Sequence, residues 1–314
     1  MNRLSKARHR NAQTVPLSAT AKKFVKESVD RKWQAWYETF DETHSPQQRQ
    51  EWYSQAATAY RWARPQYPPA MVDSVITQAN LRANSSLLEI GCGPGIATAA
   101  FAAKGFSIVG VEPSLAACKL AHKSCGYSDR ISIVNSTFEN YPLPANKFDA
   151  VLAATSFHWV APAVACQKSA AALAPGGSLI LLWATPPQPS VELGDYLQPI
   201  YNRYDLAELG EQQCKTQAYY QGNFEAFAQR INQSGLFQPA SVALEQHSST
   251  YSIEKYLALL STLSPYIDLD PTVQDNLLTE LEQALAERLE TGAFEATHWF
   301  AVQVSTLLCP GPSA

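Results

Sequence analysis

Three glycines at alternate positions close the stretch Leu87-Leu88-Glu89-Ile90-Gly91-Cys92-Gly93-Pro94-Gly95. An apolar run of this length reads as a strand buried on both faces, the usual state in a parallel sheet. Glycines just past its end allow a sharp turn and let a ligand approach bare backbone. A helical pattern from Ile96 to Lys104 follows, so the positive end of a helix points at whatever the loop holds. The chemistry this implies is binding of a nucleotide-type cofactor. Dinucleotide sites space their glycines as G-x-G-x-x-G/A, whereas here the pattern is E-x-G-x-G-x-G, with Ile96 where the third dinucleotide glycine would stand. Glu89 would repel a diphosphate and attract a cation. Phe106 to Glu112 reads as a second strand ending in an acid. That acid lies about 20 residues past the first glycine, the separation of a carboxylate that holds ribose hydroxyls.

The Glu89–Gly95 segment resembles motif I of the class I S-adenosylmethionine (SAM) methyltransferases, whose cofactor carries a positive sulfonium. Further segments resemble the later motifs of that family in order: Ile131–Val134 with Ser136-Thr137-Phe138-Glu139, Phe148–Ala154, Leu173-Ala174-Pro175-Gly176-Gly177 as a helix end, and Ser178–Trp183 as a strand. Outside this core, Tyr60-Arg61-Trp62-Ala63-Arg64-Pro65-Gln66-Tyr67-Pro68 is similar to a Y…RP-x-YP lead-in, and Phe157-His158-Trp159 to an FHW signature. Both belong to a small-molecule branch of the methyltransferase type 11 kind, with trans-aconitate methyltransferase-like enzymes among the relatives. The resemblance runs from about Tyr53 to Leu308.

The resemblance implies a set of roles. SAM would be held by Glu89, Gly91, Cys92, Gly93 and Gly95, by Glu112 and Pro113 at the second strand, and by Thr137 and Phe138 near the adenine. Ala154 and Thr155 would lie beneath the methionine part, and Tyr60 and Arg64 would close over it. The substrate pocket would take Tyr67, His158, Trp159 and Trp183. His158 is the one candidate for proton transfer, and lining without proton transfer is preferred for it. Plainer readings stand beside several of these: Glu112 as a charge stabilising the next helix, Phe138 as strand-end packing, Arg64 as a solvated helix end.

These residues need a scaffold. The strand patterns alternate with helices, and the resemblance implies a Rossmann-like seven-stranded sheet of order 3-2-1-4-5-7-6 with an antiparallel last strand and a helical cap. Ser114 is the expected N-cap of a helix from Leu115 to about Cys125. Ser241–Tyr251 and His298–Leu308 read as the closing strands. Residues 1–45 are expected to form a tail and an aromatic helix (Trp33, Trp36, Tyr37, Phe40), and residues 46–314 the methyltransferase domain, with a cap insertion at about 186–238.

Bulk properties exclude other classes. The 314 residues are 46% hydrophobic and 17% charged, a balance that fits a globular chain rather than a disordered one. A formal net charge of −4 argues against a nucleic-acid partner. No apolar run approaches the roughly 20 residues of a membrane span, and Met1–Arg10 lacks the apolar core of a secretory signal. The six cysteines form no C-x-x-C pair, so no zinc site is expected. The expectation is a cytoplasmic, metal-independent SAM enzyme with a small-molecule acceptor, no nucleic-acid partner and no membrane; the oligomeric state stays open. The acceptor atom also stays open, a carboxylate or hydroxyl oxygen among the options. A non-catalytic SAM-binding protein and a NAD(P)-dependent oxidoreductase are the alternatives.

Overall fold

The computed structural model describes residues 42, 44–126, 128–211 and 215–308. The expected tail and aromatic helix before residue 42, including Trp33, Trp36, Tyr37 and Phe40, lie outside the described residues, as do Cys214 and Cys309.

Seven strands form one sheet in the order β3-β2-β1-β4-β5-β7-β6. They are β1 (Ser86–Ile90), β2 (Ser107–Glu112), β3 (Ile131–Asn135), β4 (Phe148–Ala154), β5 (Leu173–Ala184), β6 (Ala243–Ser252) and β7 (Ala293–Thr306). The first five are parallel, and β7 runs antiparallel to both neighbours. This is the expected topology.

Alternating side chains serve two cores. Leu88, Ile90, Val151, Ala153, Leu179 and Leu181 pack on one face. Leu87, Ile108, Ala150, Leu152, Ile180 and Leu182 pack on the other. Burial on both faces explains why the inner strands read as unbroken apolar runs. A third cluster joins Leu193 and Leu197 to Tyr256, Leu260, Leu277 and Leu281 beyond the carboxyl ends of the strands.

The helices are α1 (Pro46–Glu51), α2 (Ala57–Ala63), α3 (Pro69–Gln78), α4 (Ile96–Ala102), α5 (Leu115–Cys125) and α6 (Pro162–Ala172). After β5 come α7 (Val191–Arg203), α8 (Ala207–Glu211) and α9 (Gln217–Gln233); then α10 (Ile253–Leu260), α11 (Ser264–Ile267) and α12 (Pro271–Arg288). Ser114 caps α5 as expected, its Oγ accepting from Ala117 N at 3.2 Å.

Two boundaries differ from the sequence reading. Leu173–Gly177, expected to end a helix, already belongs to β5: α6 stops at Ala172, Leu173 pairs with Phe148, and the Pro175-Gly176-Gly177 turn is absorbed as a register irregularity. The last strand begins at Ala293 rather than His298, because β6 pairs with it from Ser252 onward. Among the described residues no helix is long and apolar enough to cross a membrane.

Candidate active site

The glycine loop is fastened to β2. Gly91 N and Cys92 N both donate to Val111 O, at 2.8 and 3.2 Å. Gly91 has φ +61°, and a Cβ there would stand 2.7 Å from Ser156 Cβ. Gly93 has φ +53° with nothing within 4 Å of a Cβ, so it leaves open space. Gly95, at φ +84°, lets the start of α4 press on Ala121 of α5, where a Cβ would stand 3.1 Å from the Ala121 Cα.

Glu112 ends β2 and reaches back to the loop. Its Oε2 accepts from Gly93 N at 2.9 Å and its Oε1 from Ser114 N at 2.8 Å. Burial pushes its carboxyl up to about 7, against the pull of those two donors. Glu89 is more deeply buried and accepts from Thr98 Oγ1 at 2.7 Å. Burial raises it to about 8, and the neighbouring Glu112 adds to the effect.

These groups open onto a cavity of about 680 Å³ at the carboxyl ends of the strands, where open α/β sheets bind ligands. Gly91, Gly93, Glu112 and Pro113 form one wall. Thr137 and Phe138 follow β3, while Ala154 ends β4 and Thr155, His158 and Trp159 follow it. Tyr53, Tyr60 and Arg64 close it from the N-terminal side, and Lys215, Tyr219, Tyr220, Asn223 and Phe224 from the α9 side.

Most of the sequence-derived residues therefore meet in one place. Arg64 points its Nε to Thr262 Oγ1 at 2.8 Å and its Nη2 to Thr262 O at 2.9 Å, with its guanidinium 4.6 Å from the Tyr60 ring centre. Thr155 has φ +57°, a strained backbone for a β-branched residue. Its hydroxyl ties Ala184 N (3.1 Å) and Tyr67 Oη (3.2 Å) together.

Five of the expected residues, Glu89, Cys92, Gly95, Tyr67 and Trp183, sit apart from the large cavity. Cys92 and Tyr67 line a smaller recess of about 40 Å³ with Glu89, behind the loop. Gly95 serves packing against α5. Trp183 does not line the cavity: it is buried behind His158, ring centres 5.5 Å apart, and packs on Phe224 and Phe227. Its position at the end of an inner strand turns it into the same core as Leu179 and Leu181.

His158 lies against Trp159 and Trp183, and burial lowers its imidazole to about 4. It is therefore neutral near pH 7 and a weak proton acceptor. Sequence reasoning missed Tyr53, Lys215, Asn223 and Ser264 as cavity residues. The α9 segment was expected as part of the cap insertion, but nothing local marked which of its faces turns inward.

The buried acids and imidazoles predict a stability profile. Glu89 and Glu112 titrate near 8 and 7 in the folded chain against an ordinary 4.5, and His158 and His298 near 4 against 6.5. Through the carboxyls the folded chain binds more protons than the unfolded one, so stability falls as pH rises above 4.5. Through the imidazoles it binds fewer, so stability rises with pH up to 6.5. The two trends oppose each other between these values, and above 6.5 only the loss remains. Ligand-free protein is expected to lose on the order of 2–3 kcal/mol between pH 6.5 and about 8.5. A melting temperature that rises over that interval contradicts the assignment.

Residues 88–181 match the family described as a methyltransferase domain. An uncharacterized methyltransferase of Mycobacterium tuberculosis (strain H37Rv) is 34% identical over 133 residues, covering 42% of this chain and 52% of the relative. A demethylmenaquinone methyltransferase of Clavibacter sepedonicus is 24% identical over 167 residues, covering 52% of this chain and 68% of that protein. The chain spans about half the length of the mycobacterial relative. Among solved structures, a chain from Anaeromyxobacter dehalogenans, named as a candidate type II methyltransferase, aligns with a TM-score of 0.52 and 17% identity over 77% of this chain and 97% of that one; the likeness is one of fold. The matched segment, residues 88–181, covers most of the sheet from β1 to β5, including the glycine loop.

Proposed function

We propose that this protein transfers a methyl group from SAM to a small-molecule acceptor. The observation that carries the reading is the joint placement of the Gly91–Gly93 backbone and the Glu112 carboxylate on one wall of a cavity large enough for two ligands. Small-molecule sites occupy about 300–1,000 Å³, and this one measures about 680 Å³. The residues present fit the cofactor: Gly93 leaves backbone open to it, Glu112 is set to meet ribose hydroxyls, and Thr137 and Phe138 flank the adenine position. Tyr60 and Arg64 close the methionine end, and Glu89 lies behind the loop with its carboxyl raised to about 8 by burial.

When bound, SAM supplies a methyl group already activated by its sulfonium. The chain's task is then to orient the acceptor and exclude water, and such positioning is worth about 7–11 kcal/mol. Tyr53 and Ser54 pin the N-terminal segment over the site, through Tyr53 Oη to Ser264 Oγ and Ser54 Oγ to Ser114 Oγ, both at 2.8 Å. Neutral His158 and Trp159 form the floor on which the acceptor rests. Among the described residues no cluster of three metal-ligating side chains occurs.

Calorimetry is the direct test. SAM and S-adenosylhomocysteine (SAH) are expected to give binding heat and NAD none. Heat with NAD and none with SAM overturns the reading in favour of an oxidoreductase. SAM binding with no conversion to SAH across an acceptor panel leaves a SAM-binding protein without transferase activity.

A further inference from the structure

We propose that the acceptor this site binds is an aromatic acid: a flat one- or two-ring molecule whose anionic group meets Lys215. The inference rests on the methyltransferase reading and concerns the part of the cavity beyond the glycine loop.

That part is walled by rings. Tyr53 and Trp159 stand edge to face with centres 5.5 Å apart. On the other side Tyr220 stacks along Phe224 at 6.5 Å, with Tyr219 beside it. Rings arranged in this way favour a planar guest, which can offer face or edge to each neighbour. Neutral His158 adds a further ring without adding charge.

The charges on the cavity wall are unevenly placed. Its two carboxylates, Glu112 and Glu139, lie on the loop side, at the end of β2 and just past β3. Glu112 uses both oxygens on Gly93 N and Ser114 N, and Glu139 Oε1 accepts from Ala161 N at 3.0 Å. On the α9 side the charged group is Lys215, whose Nζ lies 5.6 Å from the Tyr219 ring centre. Among the described residues no carboxylate pairs with it. The other cations on the wall, Arg49 and Arg64, stand on the N-terminal side, and Arg64 is committed to Thr262.

Lys215 is also held in place. Its backbone N donates to Gln188 Oε1 at 2.9 Å, and Gln188 Nε2 donates to Tyr220 Oη at 2.9 Å. Gln188 is itself buried. The Lys215 backbone is thus anchored near the exit of β5, and Asn223 lines the same wall as a further amide donor. An amine on the acceptor would find no anion on that wall, whereas a carboxylate would find an ammonium in a partly desolvated setting, where such pairs are strong.

The test uses full-length protein loaded with SAH and titrated with 4-hydroxybenzoate and 1-hydroxy-2-naphthoate, each against its carboxamide, and with 4-hydroxybenzylamine. Binding is read by calorimetry and by tryptophan fluorescence. At least one acid is expected to bind about tenfold or more tighter than its amide, the weight of one hydrogen bond to a charged group. Lys215→Met should erase that preference and Lys215→Arg should keep it, with SAH affinity unchanged in both. Equal binding of acid and amide, tighter binding of the amine, a preference that survives Lys215→Met, or no binding of any probe overturns the proposal. Failure of SAH to bind overturns the methyltransferase reading instead. The acid–amide comparison is run on ligand-free protein as well, so the two failures are told apart.

Discussion

Glu112→Ala is expected to raise the dissociation constant for SAM about a hundredfold. In the proposed SAM site the carboxylate would accept from two ribose hydroxyls, and a hydrogen bond to a charged group is worth roughly 1.5–3 kcal/mol. Part of the loss comes through the loop, because Glu112 Oε2 is what Gly93 N donates to. Melting should report the opposite balance. Burial lifts the Glu112 carboxyl to about 7, so at pH 8 the folded chain holds an ionised group at a cost. Removing it should leave the pH 8 melting temperature unchanged or higher. A stabilising change that weakens ligand binding is the expected mark of a site residue held against its own preference. If affinity is unchanged, Glu112 has no part in the site. If the melting temperature collapses, its role is to hold the loop alone.

The parts of this site that were legible in the sequence are those set by local rules. The β1 run, the turn glycines and the acid ending β2 follow from burial on both faces and from backbone freedom, and each is contained in fewer than ten consecutive residues. His158 and Trp159 were legible through the FHW resemblance. Trp183 was expected in the pocket, yet strand parity turns it into the core behind His158. Lys215 and Ser264 were not legible at all. They reach the cavity from segments far apart in the chain, and only the packing of α7–α12 against the sheet brings them to the loop. The boundary of β5 was misread for a related reason. Pro175-Gly176-Gly177 looks like a stop signal, and only the pairing of Leu173 with Phe148 shows the strand running through it.

The loop glycines offer the sharpest separation between a steric need and a binding need. Gly91→Ala must place a methyl group 2.7 Å from Ser156 Cβ while holding φ at +61°. Ser156 has little room to yield, because its hydroxyl donates to Ile90 O in the strand just before the loop. Overpacking of this kind costs about 1–3 kcal/mol, and the left-handed backbone adds about 1–2 kcal/mol. Gly93→Ala carries the backbone cost alone, since its Cβ would meet nothing within 4 Å of protein. That open space faces the cavity Gly93 lines, where the cofactor is proposed to lie. Gly91→Ala should therefore lower the melting temperature clearly more than Gly93→Ala. Gly93→Ala should still weaken SAH binding by about tenfold or more, because one misplaced methyl group costs more than the roughly 1.4 kcal/mol that a tenfold change represents. Matched melting curves for the two variants would remove the Ser156 contact as the reason for glycine at 91. Wild-type SAH affinity in Gly93→Ala would mean that the ligand does not approach the loop backbone, and the cofactor site would have to be sought elsewhere in the cavity.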